Sequence, residues 1–348
     1  MAKSRKHSNS YRFPGLFDGL DDFQERMDSD FKVIPAKKMD EIVRDMRRKQ
    51  ASANALDEMA PLSPTDHIFF MSFGSGSSGN CSYIGDRQSG FLIDAGVETR
   101  KVVDSLKANG VSMDAVKGIC LTHDHGDHIR YVYNIVRSYR HIRIYCTPKA
   151  FNGILRRHSV SRRIKDYHVA VYKEFPFKIG NFEVTAFDVM HDGADNAGFF
   201  IRHGERTFAI ATDLGCVSER VDYYMRQARY IVIEANYDAV MLRDGAYPEY
   251  LKARIANDNG HMDNAATAAY IARIYTPELR NIYLCHLSHD NNTPEKALTA
   301  VSDALRGVGV TRIGNGIVSL AAGDSEDEAP QVHLVALPRY DCSPLYTL

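Results

Sequence analysis

An apolar run at 117–121 ends in Thr122-His123-Asp124-His125-Gly126-Asp127-His128, and a helical pattern at 129–139 follows at once. Side chains that leave a strand end are held in fixed geometry. His123 and His125, two residues apart, can point the same way, and the turn brings Asp127 and His128 round to face them. Imidazole and carboxylate donors mixed in this way suit Zn, Mn or Fe.

The texture around this motif is that of an α/β domain. Strand-like runs at 67–73, 82–84, 91–93, 117–121, 142–145, 182–187, 198–201, 207–211, 230–233 and 281–285 are interleaved with helical patterns at 97–108, 129–139, 148–156, 218–227, 264–275 and 294–305. Residues 1–66 read as an N-terminal extension. Met39, Ile42, Val43 and Met46 mark a short amphipathic helix within it, and the Ala-, Ser- and Pro-bearing stretch 51–64 is a linker. Residues 67–322 form the domain, and 323–348 read as an acidic linker with a tail that has one strand-like run at 332–337. Cys81, Cys120, Cys146, Cys216, Cys285 and Cys342 never form a CxxC pair and mostly sit in apolar runs, as structural thiols do. No apolar stretch has the length of a secretory signal or a membrane span, so a cytoplasmic location is expected. With 43 Lys plus Arg against 44 Asp plus Glu, no long-range field gathers polyanions, and nucleic-acid binding must be local. Arg156, Arg157, Arg162, Arg163 and Lys165 are a local basic set that could neutralise phosphates.

The segment His123 to His128 resembles the HxHxDH signature of the metallo-β-lactamase superfamily, which implies a four-layered αββα sandwich with metals at one edge. The resemblance implies His123, His125 and His191 as ligands of one metal, Asp127, His128 and His286 as ligands of a second, and Asp213 as the carboxylate between them. Two divalent cations, Zn²⁺ or Mn²⁺, about 3.5 to 4 Å apart would let a bridging water ionise at neutral pH and act as a Lewis acid on the group under attack.

Ser72 to Ser82, a glycine-serine turn before a strand, and Phe91-Leu92-Ile93-Asp94-Ala95-Gly96 resemble the opening of the WalJ/YycJ family of bacterial metallo-hydrolases. By that resemblance the turn offers Ser75, Ser77, Ser78 and Asn80 to an anion such as phosphate. Asp94 would buttress the metal-site histidines, since ligating imidazoles need an acceptor behind them. Ile233-Glu234-Ala235-Asn236-Tyr237-Asp238 and Gly260-His261-Met262-Asp263-Asn264 resemble the corresponding segments of this family and of RNase Z. They imply that His261, helped by Glu234, protonates the leaving oxygen or holds a phosphate oxygen. Where the family usually has His, this chain has Tyr237, whose hydroxyl could bind phosphate.

The interval from His191 to Asp213 is too short for the tRNA-gripping arm of RNase Z, and that from Asp213 to His286 too short for the extra domain of RNase J-type nucleases. A compact dinuclear phosphodiesterase is implied, a DNA 5′-exonuclease with a role in repair, acting through a metal-bridging hydroxide. A small-molecule hydrolase of the same fold, acting on a lactone, thioester or cyclic nucleotide, is the alternative. A non-catalytic scaffold would not need the full ligand set.

Overall fold

Along the central strands, successive side chains point to opposite faces and both faces are buried, which forces the chain into layers. The computed structural model describes residues 67–316 and 329–348. One sheet holds, in spatial order, β15 (Tyr346–Thr347), β1 (Phe69–Gly74), β2 (Cys81–Gly85), β3 (Gly90–Ile93), β4 (Val116–Cys120), β5 (Arg143–Cys146) and β6 (His168–Ala170). The other holds β13 (Ile313–Gly314), β14 (Val332–Ala336), β12 (Asn281–Cys285), β11 (Tyr230–Glu234), β10 (Arg206–Ala211), β9 (Ala197–His203), β8 (Phe182–Asp188) and β7 (Pro176–Ile179). Strands β3 to β6 run parallel, as do β10, β11, β12 and β14, while β7 to β10 form an antiparallel meander.

The two faces of each strand feed different cores. In β3, Phe91 and Ile93 enter the core between the sheets while Leu92 faces outward. In β10 and β11, Phe208, Ile210 and Val232 point inward, and Ala209, Ala211, Ile231 and Ile233 outward. Helices cover the outer faces. On the first sheet lie α1 (Thr99–Ala108), α3 (Val132–Ser138) and α4 (Pro148–Arg157), which bury Val102, Leu106, Ile135, Val136, Phe151 and Ile154 against Leu92 and Ile119. On the second lie α5 (Glu219–Met225), α8 (Asn264–Ile274) and α9 (Pro294–Gly307), which bury Val221, Met225, Ile271, Val301 and Leu305. The order is helix, sheet, sheet, helix, the expected αββα sandwich. Three smaller helices, α2 (Gly126–Ile129), α6 (Ala239–Asp244) and α7 (Glu249–Ile255), sit in the connections.

Three features differ from expectation. The helix expected at 129–139 is two pieces, α2 and α3. The segment 239–255, without a periodic apolar stripe, nonetheless carries two short helices, α6 and α7, on either side of residues 245–248. The boundary at 322 cuts through the fold: β14 lies inside the second sheet, paired with β12 from Asn281↔His333 to Leu284↔Ala336, and β15 pairs with β1. Burial of Val332, Leu334 and Tyr346 makes this segment core rather than tail. The N-terminal extension and the acidic stretch before residue 329 lie outside the described residues. The six cysteines are free, and Cys81, Cys120, Cys146 and Cys285 are buried. No helix among the described residues is long and apolar enough to cross a membrane.

Asp86 clamps the two sheets at one end. It accepts hydrogen bonds from Gln88 N at 2.7 Å and Ser89 N at 2.6 Å in the β2–β3 turn, from Asn181 Nδ2 at 2.7 Å before β8, and from His203 Nε2 at 3.0 Å in β9. Burial alone would raise its pKa, but these donors, His203 first, hold it at about 2 instead of 3.8. A carboxylate depressed in the folded state stabilises above its unfolded pKa, and the stabilisation is lost as pH falls from about 4 to about 2. At 1.36 kcal/mol per pKa unit this amounts to about 2 kcal/mol. Asp86→Asn is therefore expected to melt several degrees lower at neutral pH and to show a flatter loss of stability below pH 4, read by thermal melts across pH. An unchanged acid limb would remove Asp86 from the clamp.

Candidate metal centre

Most expected site residues outside the Gly/Ser turn lie at or just beyond a strand's carboxyl end: Asp94 after β3, His123 to His128 after β4, His191 after β8, Asp213 after β10, Glu234 at the end of β11 with Tyr237 just beyond it, and His286 after β12; His261 instead lies in the loop between α7 and α8. Asp94, Asp213 and His286 turn out of their strands with φ of 61°, 49° and 56°. This left-handed backbone is uncommon for residues other than glycine and clusters at functional sites, with Asp, Asn and His the best tolerated. His125 is the N-cap of α2, which carries Asp127 and His128. The motif is tied down by backbone bonds from Asn80 N to Asp127 O at 2.8 Å and from Ala95 N to His128 O at 2.7 Å. A Cβ on Gly96 would collide with the Asp127 carbonyl, so glycine is what allows this approach.

Among the described residues the donor atoms converge in four groups, each with donor atoms within 4.8 Å of one another. Two share no residue, His123 with His125 and His191, and Asp127 with His128 and His286; they are joined by the others, His123 with His128 and Asp213, and Asp213 with Glu234, His261 and His286. Asp213 touches both of the separate groups: its Oδ2 is 3.7 Å from His123 Nε2 and 2.5 Å from His128 Nε2, and its Oδ1 is 2.8 Å from His286 Nδ1. Three histidines have Nδ1 on a fixed acceptor, which leaves Nε2 as the lone-pair donor. The acceptors are Asp94 Oδ2 for His128 at 2.7 Å, the Gly260 carbonyl for His191 at 3.0 Å and Glu234 Oε1 for His286 at 2.8 Å. Asp94 thus stands where a buttress was expected, its other oxygen held by Thr122 N at 2.8 Å.

Yet His123 Nε2 and His286 Nε2 are buried without a hydrogen bond, and Asp213, close as it lies to His128 and His286, makes none of good geometry. Burying a carboxylate and imidazoles in that state costs several kcal/mol unless something takes their lone pairs. Burial, then the charge of His128, holds His123 well below the usual imidazole range, so it is a neutral lone-pair donor. Burial would raise Asp213, but His286 and His128 hold it well below the carboxylate range. Burial would lower His128 and His286, but Asp213, first among the carboxylates beside them, raises both well above the imidazole range, and a divalent cation of the Zn or Mn type would take the place of those protons.

Glu234, fully buried, joins this cluster to a second histidine. Its Oε1 lies 2.8 Å from both His286 Nδ1 and His261 Nδ1, while Oε2 accepts from Leu214 N at 2.8 Å and Met262 N at 3.2 Å. His261 faces a cavity of about 210 Å³ with His191, His286, Ser77, Tyr247, Arg254 and Arg339. The cap of α8 is Asp263, whose Oδ1 accepts from Ala265 N and Ala266 N, so this helix end is already satisfied.

The expected phosphate contacts divide. Ser77 lines the cavity, held through its Oγ by Arg339. Ser75, Ser78, Asn80 and Tyr237 do not line it. Ser75 Oγ accepts from His286 N at 2.8 Å, and Asn80 bonds Gly76 within the turn and donates to Asp127 Oδ2 at 3.3 Å. Both point inward because the tight turn leaves buried backbone groups to satisfy. Ser78 offers its carbonyl to Arg130, and Tyr237 is buried, with its backbone bridged to Asp263 at the cap of α8. The basic set at 156–165 is exposed and outside the cavity; Arg157 pairs with Asp124 at 3.2 Å. Sequence reasoning missed Asp192, whose Oδ1 is 3.3 Å from His125 Nε2 and whose Oδ2 holds Arg254 at 2.6 Å. It also missed Tyr247, Arg254 and Arg339, which carry no motif.

Residues 90–286 match the family model described as the beta-lactamase superfamily domain. The chain is 35% identical over 249 residues to exodeoxyribonuclease YycJ of Bacillus anthracis, covering 70% of this chain and 92% of that protein. It is 30% identical over 241 residues to exodeoxyribonuclease WalJ of Streptococcus pneumoniae, covering 68% and 89%. In three dimensions it is similar to the metallo-beta-lactamase fold protein YhfI of Bacillus subtilis, with a TM-score of 0.55 and 14% identity over 80% of this chain and 99% of that one.

Proposed function

The chain belongs to the beta-lactamase superfamily as a WalJ/YycJ-like metal-dependent hydrolase, and from there we propose that it is a dinuclear phosphodiesterase that shortens DNA from the 5′ end. The observation that carries this reading is the Glu234 carboxylate, which joins His261 in the cavity wall to His286 in the donor cluster. His123, His125 and His191 would hold one cation and Asp127, His128 and His286 the other, with Asp213 between the two sets. Bound divalent cations, Zn²⁺ or Mn²⁺, supply Lewis-acid charge at a phosphoryl oxygen and make water acidic enough to attack at neutral pH.

The remaining work falls to the chain's own groups. Glu234 accepts from His261 Nδ1, which fixes the ring and leaves Nε2 to hold a proton for the leaving oxygen. Asp94 and the Gly260 carbonyl keep the His128 and His191 rings aimed at the cluster. The names of the YycJ and WalJ relatives support DNA as substrate, and repair in the cytoplasm is the setting we assign.

Purified protein loaded with Mn²⁺ or Zn²⁺ is expected to shorten end-labelled DNA stepwise from the 5′ end. His261→Asn is expected to lower kcat by about 10²- to 10⁴-fold, the usual contribution of a general acid, with metal content unchanged. Intact DNA in the presence of metal-loaded wild type, or shortening from the 3′ end, would overturn the reading. Lactones, thioesters and cyclic nucleotides would then be assayed.

A further inference from the structure

Beyond β14 the chain turns back across the metal-bearing edge, outside the span matched by the family model. Segment 339–343 is stitched to β1 and to the Gly/Ser turn. Arg339 O accepts from Ser75 N at 3.3 Å, Ser72 O accepts from Ser343 N at 2.8 Å, Ser343 Oγ accepts from Ser72 N at 2.9 Å, and Lys101 Nζ donates to Tyr340 O. This delivers the Arg339 side chain to the cavity wall beside His286.

The guanidinium is held but not neutralised. Nη1 donates to the Leu287 carbonyl at 2.6 Å and Nη2 to Ser77 Oγ at 2.6 Å, both neutral acceptors, while Nε is buried without a partner. Only two of the five N–H donors of an arginine are thereby used. Among the described residues no carboxylate forms an ion pair with Arg339. The exposed Asp290 feels its charge but bonds Tyr247 and His289 instead. Across the cavity, Arg254 is neutralised by Asp192. A half-buried cation with spare donors and no carboxylate partner, seated over the Tyr340 ring at 5.5 Å, is open to an anion, and a guanidinium fork suits the oxygens of phosphate or carboxylate, of which the phosphodiesterase reading supplies phosphate. The Leu287 bond ties this charge to the residue next to His286. The cavity, about 210 Å³ and open to solvent on one side, has room for a phosphate group beside His261 and Ser77.

We propose that Arg339 binds a phosphate of the substrate other than the one under attack, which makes the C-terminal segment a specificity-determining part of the site. This rests on the phosphodiesterase reading above. The phosphate is either a terminal monoester or the next internal diester, and both offer the same oxygens.

The test uses the full chain and cleavage-resistant phosphorothioate oligonucleotides that are 5′-phosphorylated, 3′-phosphorylated or unphosphorylated, with affinity read by fluorescence anisotropy over a salt series. Arg339→Gln is expected to bind about tenfold or more weakly, the scale of a charge-assisted hydrogen bond, with its log–log salt slope reduced by about one. Arg339→Lys, which keeps the charge, is expected to keep the slope and lose part of the affinity. A loss confined to one phosphorylated end identifies a terminal monoester; an equal loss on all three identifies an internal phosphate. Wild-type affinity in Arg339→Gln, or weaker binding with an unchanged slope, overturns the proposal, the second outcome meaning that the segment only packs. If wild type binds no oligonucleotide, the nuclease reading falls by itself. Inorganic phosphate then decides: a melting temperature raised in wild type but not in Arg339→Gln upholds the site, and no difference removes it.

Discussion

Asp213→Asn is expected to lower phosphodiester hydrolysis about a thousandfold and to strip metal from the protein while leaving the fold in place. Asp213 is 2% exposed, and its two oxygens lie within 3.8 Å of nitrogens on His123, His128, His261 and His286. It is the carboxylate that touches both separate donor groups, so its loss weakens both at once. A cation's Lewis-acid charge supplies several kcal/mol of transition-state stabilisation, which at 1.36 kcal/mol per decade is about three orders of magnitude. Asparagine keeps the shape of the side chain and tolerates the φ of 49° found here, so global unfolding is not the expected cause. Metal content by mass spectrometry, turnover on a phosphodiester and a melting curve together separate the effects. Full metal content with activity within tenfold of wild type would remove Asp213 from the centre.

How much of this was legible in advance depends on how local the determinants are. The run from His123 to His128 spans one strand end and one turn, so spacing alone was enough to mark its chemistry. The layers were legible because the long central strands are apolar at nearly every position, as double burial requires. His191, Asp213 and His286 lie far apart in the chain, and only family resemblance joined them. The place of β14 was not legible, since its parallel pairing with β12 skips the whole of α9 and nothing local specifies which strand it joins. Helix α7 escaped because it buries none of its residues and so shows no stripe. Ser75 and Asn80 illustrate another limit: a polar turn residue reads the same whether it faces a ligand or satisfies buried backbone groups, and here both face inward. Arg339 had no signal at all, since its meaning comes from Ser77 and Leu287, which the fold brings to it.

Phe70→Ala is expected to cost about 3 to 5 kcal/mol, the range for deleting a fully buried aromatic side chain. Phe70 sits on β1 with no exposed surface, between the sheets. Its ring centroid is 5.1 Å from that of Phe208 and 4.7 Å from that of Tyr283 on the opposite sheet, and 6.2 Å from that of Tyr346 on β15. Removing the ring opens a cavity where both sheets and the returning C-terminal strand meet, and the pleated backbones cannot collapse into it without breaking ladder hydrogen bonds. Phe70→Leu retains much of the apolar volume and is expected to cost clearly less. Urea unfolding gives the numbers: the midpoint should fall with the slope unchanged, because the surface exposed on unfolding is the same. Coincident transitions by fluorescence and circular dichroism would show the two sheets unfolding together. A cost below 1 kcal/mol for the alanine variant would mean that the sheets do not depend on this contact, and that the outer helical layers carry the stability instead.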